Sequence, residues 1–553
     1  MKAQIIGEIL KESGIIAQEQ IDAALCVQKV TNRVLGEILV ELNFVTTDEL
    51  ARAIALQNRL EYVDLDAYVP LPETLALVDR EFALQNMVLP LKIEEGVLVV
   101  ASSWPNDKEM REHLSQSSGY PIRYAVSDIG AIGRYLQFYY EQLEYSIEKR
   151  IDDIIKISVE EGEIDVIVLV DLIIQVAIKD RATDIHIMAE RITSHIFYRI
   201  DGVLKHYYSI PSALHNSIVI RLKVVAKLDI AQHLQPQDGE FYMKFSQSSY
   251  NIRLSTIPTI NGEKVALRLL PENFRLYSLE SLGFEPDLVK KISSNLQKRS
   301  GIILVVGSSG SGKTTTLYAM LRKIDILRRN VISIEEPVEY RLPFVNQIQV
   351  NRRTDYTFDK ALHHIARQDP DVIAIGEILD DETAKLAIRS SITGHLILST
   401  LSGSSAVTAI SRLKDLGVDK YLLSDGLLSV ISQKLLRRLC NECKKEVQLS
   451  KEELMNHFSE YKEEILSLPG ERVKIYEAVG CKHCRESGYL GRIAVVEHFC
   501  VDDTIRDMIE HDKSSAELQR YIRYSGYTDI RNDMLKKILQ GVTSLQEVSR
   551  ITD

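Results

Sequence analysis

A chain of 553 residues exceeds one ordinary domain, and at about 150 residues each it accommodates three or four. Hydrophobic residues make up 45% and charged residues 26%, with 27 Gly and 14 Pro, which excludes a mainly disordered chain and a single small binding module. Lys and Arg number 67 against 78 Asp and Glu, a net charge of −11, so the whole molecule offers no electrostatic footprint for nucleic acid and no direct nucleic-acid binding is expected.

The opening MKAQIIGEILKESG carries charges early and has no apolar core of signal-peptide length, and no run of 18 apolar residues occurs anywhere. The sequence therefore predicts a cytoplasmic protein that reaches a membrane only through partners. Ile6 to Gln28 matches Leu35 to Gln57 at a constant offset of 29 residues. In each copy a short GEIL helix, a break (SG or LN), an apolar pair and a capping cluster lead into a second helix, which predicts a duplicated helical hairpin. From Tyr62 to about Tyr140 the pattern is mixed: Pro90 to Ser102 reads as a hairpin of strands and Tyr120 to Ser127 as another. Residues 1–140 form the expected N-terminal domain.

Glu141 to Asp165 is dense in charge and is expected to be a linker or a surface helix, with a flexible joint. A helix over Val168 to Arg181, strands in DIHIMAE, HIFYRIDGVLKHYYSI, GEFYMKFS and YNIRLSTIPTINGEKVALRLL, and a helix near Asn216 to Leu228 predict an α+β domain over 166–285. From Gly301 apolar strands alternate with helices, the pattern of a parallel sheet, so 286–439 is expected to be an α/β core. A cysteine-bearing insertion (440–498) and a helical region (499–553) complete the chain.

GIILVVGSSGSGKTTTLYAML, from Gly301 to Leu321, is an apolar strand, a GxxxxGKT loop and a helix, the full context of a P-loop. Gly307, Gly310 and Gly312 let the backbone around Ser308, Ser309 and Ser311 fold into a nest of N–H groups for ATP phosphates, at a helix N-terminus that begins with Thr314 and Thr315. Lys313 would supply a cation and Thr314 a hydroxyl to Mg²⁺. Two more apolar strands end in acids: Glu335 and Glu336, with Glu339 after Pro337, and Glu377. At the C-terminal edge of a parallel sheet these face the phosphates.

Cys440 and Cys443 form one CxxC pair and Cys481 and Cys484 a second, 37 residues on. Four thiolates suit a closed tetrahedral Zn²⁺, preferred over metal-free thiols or an iron–sulfur cluster. His483 sits between two ligands at a spacing that does not make it one. Cys26 and Cys500 are expected to be ordinary buried thiols, and the basic residues of LLRRL and of the KK after Cys443 a solvated face.

From about Asp165 to Phe499 the chain resembles the ATPases of type II secretion and type IV pilus assembly, the PilB/GspE group. GSSGSGKTTTLY is similar to their Walker A, ISIEEPVEY to their acidic box, RQDPDVIAIGEILDDETAKLAIRSSITGHLILSTL to Walker B running into a His box, and the cysteine insertion with GYLGRIAVVE to the last motif. ATDIHI, YRIDGVL and LDIAQHLQPQDGE are similar to the preceding domain. The resemblance implies a multidomain α/β protein with a RecA-like core, and a homohexamer whose two domains rotate on ATP hydrolysis and drive an inner-membrane platform protein that adds or extrudes pilin-like subunits. It implies Glu335 as the water-orienting base, Glu377 as the Walker B acid, His395 as a γ-phosphate sensor, and Arg199 and Arg221 as arginines offered from the neighbouring domain. Ser402, Leu379, His233 and Leu234 stand where the family usually has a histidine or arginines, which favours slow turnover and, as the alternative, an ATP-binding scaffold. The N-terminal repeat is similar to domains that in some members bind cyclic di-GMP. Gly7, Gly36, Gln28 and Gln57 are present, but the first copy lacks its arginine and Arg33 is displaced by one, so docking on a partner is preferred over cyclic di-GMP.

Overall fold

The computed structural model describes residues 2–65, 70, 72–105, 107–144, 147–160, 165–245, 248–271, 277–351, 354, 356–481 and 484–552. The chain forms two compact units: Met1–Ile15 with Thr47–Arg275, and Ile16–Thr46 with Leu276–Asp553.

Over the repeat lie the helices Lys2–Glu12, Gln18–Thr31, Leu35–Glu41 and Thr47–Asn58. The first packs against the fourth and the second against the third, so the main helix pairings run between the copies and not within each expected hairpin. Asn32 closes the second helix in the left-handed conformation (φ 54°), which an Asn tolerates better than most side chains.

In the first unit, strands Val88–Glu94 and Val97–Ser102 form the expected hairpin across the two-residue turn Glu95–Gly96, both at positive φ. Tyr120 to Ser127 contributes a single strand, Ile122–Val126, rather than a hairpin, because the helix Lys108–Ser118 carries the chain back to pair it parallel with the second strand. The charged segment is helical over Ile147–Glu160, and Ile151 is buried against the helix Val166–Lys179. A six-stranded antiparallel sheet follows, in the order Val203–Pro211, Thr193–Ile200, Ala182–Ala189, Gly262–Pro271, Ser248–Thr259, Gln237–Phe245. Alternate residues such as Ile185, Ile187, Ile196 and Tyr198 are buried with Leu169, Ile173, Ile218 and Leu222 of the helices Val166–Lys179 and Ser212–Val225, so both helices cover one face.

The second unit is built on a seven-stranded sheet in the order Val345–Gln349, Val331–Glu335, Val372–Ile375, Leu396–Ser402, Gly301–Gly307, Leu427–Leu439, Tyr489–Cys500. The first six are parallel and the last is antiparallel to its neighbour. Every residue of Gly301–Gly307 is buried, as a strand covered on both faces requires. One apolar layer holds Ile332, Ile334, Ile375, Ile397 and Leu401; the other holds Leu317 and Met320 of the P-loop helix with Ile303, Val305 and Ile431. The helices Asp503–Glu510, Ser515–Tyr524, Ile530–Leu539 and Leu545–Thr552 close the chain. No helix among the described residues is long and apolar enough to cross a membrane.

Candidate active site

The apolar strand Gly301–Gly307 leads through Ser308–Gly312 into the helix Lys313–Lys323. Gly310 and Gly312 hold φ of 76° and 88°, backbone that side chains resist. A Cβ at Gly307 would stand 2.3 Å from Ser311 Oγ, so a larger residue cannot occupy that turn. Ser308, Ser309 and Thr314 are exposed, Thr315 is half-buried and Ser311 is buried. Lys313 Nζ donates to the carbonyls of Gly307 (3.1 Å) and Ser308 (3.2 Å) and lies 4.0 Å from Glu377 Oε1. Cation, backbone nest and carboxylate therefore share one edge of the sheet, the C-terminal edge, where the parallel pairing places them.

Glu377 follows the strand Val372–Ile375, and its Oε1 accepts a 2.6 Å hydrogen bond from Ser402 Oγ. Ser402 is the last residue of Leu396–Ser402 and pairs with Gly307, so its hydroxyl reaches the Glu377 carboxylate from beside the loop. Leu379, two residues on, is 45% exposed.

Two of the expected residues, His395 and Glu335, have surroundings that bear on their roles. His395 precedes the strand whose first residue, Leu396, pairs with Gly301, six residues before the Ser402–Gly307 pair. At about 3.3 Å per residue the strand carries His395 some ~20 Å away from the phosphate edge, and its Nδ1 lies 3.1 Å from the Ser390 carbonyl. Glu335 is 5% exposed and accepts three hydrogen bonds: Ser333 Oγ (2.6 Å) and Gln347 Nε2 (3.1 Å) donate to one oxygen and the Tyr318 hydroxyl to the other. Burial, then the charge of Glu335, raises the Tyr318 pKa well above the tyrosine range, so that hydroxyl stays a donor. A buried carboxylate that already accepts three hydrogen bonds from the protein has little room left for water. Strand alternation is the cause, since Val331, Ser333 and Glu335 all face the layer of the P-loop helix. Glu336 is exposed and Glu339 half-buried beyond the strand.

Arg199 and Arg221 lie in the other unit. Arg199 Nε is 3.8 Å from Asp184 and its guanidinium donates to the Gly202 carbonyl at 3.2 Å, while Arg221 Nε is buried without a hydrogen-bond partner. His233 Nδ1 is 2.8 Å from Glu263, which also binds the fully buried Lys223; burial would raise the Glu263 pKa, and the Lys223 ammonium together with the hydrogen bond from His233 more than offsets it. Leu234 is 86% exposed.

The four insertion cysteines converge, every Sγ within 4.8 Å of the others. Cys440–Cys481 measures 3.9 Å, and Cys443–Cys484 and Cys481–Cys484 each 3.7 Å. Four Zn–S bonds of about 2.3 Å in a tetrahedron require S···S edges of about 3.8 Å, so the set fits a closed structural ion, whose role would be to pin the insertion. The N–H groups of Cys481 (3.2 Å) and Gly488 (3.1 Å) donate to Cys484 Sγ. Burial opposes ionisation of that thiol, yet these donors bring its pKa below the ordinary value. His483 lies outside the described residues. Cys26 is exposed, not buried, and Cys500 is half-buried. The basic residues beside the knuckles are only partly a solvated face. Arg437 stacks 4.0 Å over the Tyr489 ring and binds the buried Glu547, and Lys444 donates to the Gly541 carbonyl at 3.1 Å.

Sequence reasoning missed Gln433, an amide inside the apolar run LLSVISQKLL, whose Nε2 donates to the Ser311 carbonyl of the loop. An isolated amide in a buried strand was the available signal, because such a group needs partners.

Comparison with known proteins agrees with this geometry. Residues 159–550 match the family model described as "Type II/IV secretion system protein", and residues 58–145 match the MshEN domain. The type II secretion system ATPase E of Vibrio cholerae is 40% identical over 392 residues, 71% of this chain and 76% of its own. The type IV pilus assembly ATPase PilB of Myxococcus xanthus is 32% identical over 561 residues, 98% of each chain. Among solved structures the DotB ATPase of Legionella pneumophila shares the fold, with a TM-score of 0.51 at 17% identity over 70% of this chain and 95% of its own. The chain thus belongs to the type II/IV secretion system family, as a P-loop ATPase of the kind that serves type II secretion and type IV pilus assembly.

Proposed function

We propose that this protein is a cytoplasmic homohexameric motor that hydrolyses ATP with Mg²⁺ and drives an inner-membrane platform protein, adding or extruding pilin-like subunits. What supports the reading is Lys313, held between the loop carbonyls and 4.0 Å from Glu377, at the edge where nucleotide phosphates and Mg²⁺ would meet. Thr314 is the hydroxyl for Mg²⁺ and Glu377 its nearby acid. Glu339 takes the water-orienting role, because Glu335 is committed to the core and a half-buried carboxylate is better screened from bulk water than the exposed Glu336. The four cysteines hold structural Zn²⁺. The N-terminal helices dock on a membrane-bound partner rather than bind cyclic di-GMP, since Arg33 is paired with Glu37 (3.7 Å) and Glu41.

One observation favours a second reading, a scaffold that holds ATP and turns it over very slowly: the Glu377 partner is the small neutral Ser402 where a histidine would bring a cation. Steady-state hydrolysis by the purified protein and by Lys313→Ala, with the oligomeric state recorded in the same sample, separates the two. The motor reading expects hexamers whose turnover falls at least about a hundredfold in the variant. Hexamers that bind ATP without turnover, even after the platform protein is added, support the scaffold.

A further inference from the structure

Gln433 is 1% exposed on the strand Leu427–Leu439, in the layer that holds Ile431. A buried primary amide is tolerated there only if both ends are bonded. Both are: Nε2 donates to the Ser311 carbonyl and Oε1 accepts from Thr316 Oγ1, each at 2.6 Å. A carbonyl can only accept, so the nitrogen must face Ser311, and the orientation of the amide follows. Ser432 pairs with Val306, which sets Gln433 abreast of Gly307, where the loop begins.

The Ser311 carbonyl belongs to the same planar trans peptide as the Gly312 N–H, so the two point in opposite directions. Turning the carbonyl toward Gln433 aims that N–H away from the strand, into the concavity of the loop. The Gln433 side chain also bears on Gly312, where a Cβ would meet Gln433 Nε2 at 2.7 Å, while one on Gly307 would meet the backbone carbonyl of Gln433 at 2.7 Å. Thr316 closes the first turn of the P-loop helix through its N–H to the Gly312 carbonyl (3.0 Å), so its bond to Gln433 ties that helix to the strand.

We propose that Gln433 is a positioning residue of the phosphate loop, which holds the Ser311–Gly312 peptide so that the Gly312 N–H faces the bound triphosphate. It touches no reacting atom. The inference rests on the loop binding a nucleoside triphosphate, and wild-type binding in the same titration tests that premise separately.

The experiment measures ATP and ADP dissociation constants, kcat, KM and the nucleotide-free melting temperature for the full-length wild type, Gln433→Glu, Gln433→Leu and Thr316→Val. Gln433→Glu keeps an acceptor for Thr316 but sets a second acceptor against the Ser311 carbonyl, which releases the peptide. Nucleotide dissociation constants and KM are expected to rise about tenfold, the effect of one misaimed donor to an anion, while kcat changes less than KM. Thr316→Val should shift the same constants by about threefold, and with Gln433→Leu the two effects should combine less than additively. Dissociation constants within twofold of wild type in both Gln433 variants, with only the melting temperature lowered, would reduce Gln433 to a packing residue and overturn the proposal. If neither Gln433 variant folds, unchanged nucleotide affinity in Thr316→Val overturns it. A wild type that binds no ATP removes the premise and the inference together.

Discussion

Glu335 and Glu339 are four residues apart in one acidic motif and have opposite fates. Glu335 points into the layer under the P-loop helix and is held there by Ser333, Gln347 and Tyr318, whereas Glu339 lies past the strand and is half-buried. Glu339→Gln should therefore keep ATP binding and abolish turnover. Glu335→Gln should instead cost about 1–3 kcal/mol of stability, seen as a lower urea midpoint with nucleotide affinity retained. Equal turnover in Glu339→Gln and wild type would return the base role to another acid. Ser402→Ala removes the 2.6 Å donor on Glu377, and a charged acceptor deprived of such a bond should lower kcat about tenfold with ATP binding intact.

The strand is the scale at which reading from sequence succeeded and failed. Strand, glycine loop and helix are contiguous between Gly301 and Lys323, so the phosphate site was legible from one stretch of chain. The two CxxC pairs were legible for a similar reason, since each knuckle carries its own geometry. His395 and Ser402 were harder, because they occupy opposite ends of one strand and only the pairing of Ser402 with Gly307 reveals which end faces the nucleotide. The side chosen by Glu335 was in principle available from alternation along Val331–Glu335, but the donor that completes its cage, Gln347, comes from another strand. The cysteine knuckles leave and re-enter the sheet through Leu427–Leu439 and Tyr489–Cys500, which pair from Ser429↔Cys500 to Leu439↔Tyr489. Cys440→Ser should release the metal and lower the melting temperature while leaving nucleotide affinity unchanged. Metal analysis beside a binding titration checks it, and a metal-free wild type of full stability would refute the structural role.

Across the second unit, the contacts that finish the core join residues far apart in the chain. Gln433 reaches back 122 residues to Ser311, and Arg437 forward 110 to Glu547. No local pattern could name either partner. Glu547 is completely buried and accepts from the Arg437 backbone (3.1 Å) and guanidinium (2.6 Å) and from Arg550 (2.6 Å). Burial raises its pKa and the arginines more than offset that, so it is held below the ordinary carboxylate value. Glu547→Leu strands two guanidinium groups and should cost about 3–5 kcal/mol in urea unfolding, and a loss below 1 kcal/mol would show the node to be dispensable.

The Glu547 node also bears on synthesis. A ribosome releases the phosphate loop, the acidic strands and both cysteine knuckles before it releases Glu547, so Arg437 waits, charged and unmatched, while more than a hundred residues are added. At about 5–20 residues per second that interval is on the order of ten seconds. Until it ends, the strand carrying Gln433 is held at its far end only by its pairing with Tyr489–Cys500, without the Glu547 lock.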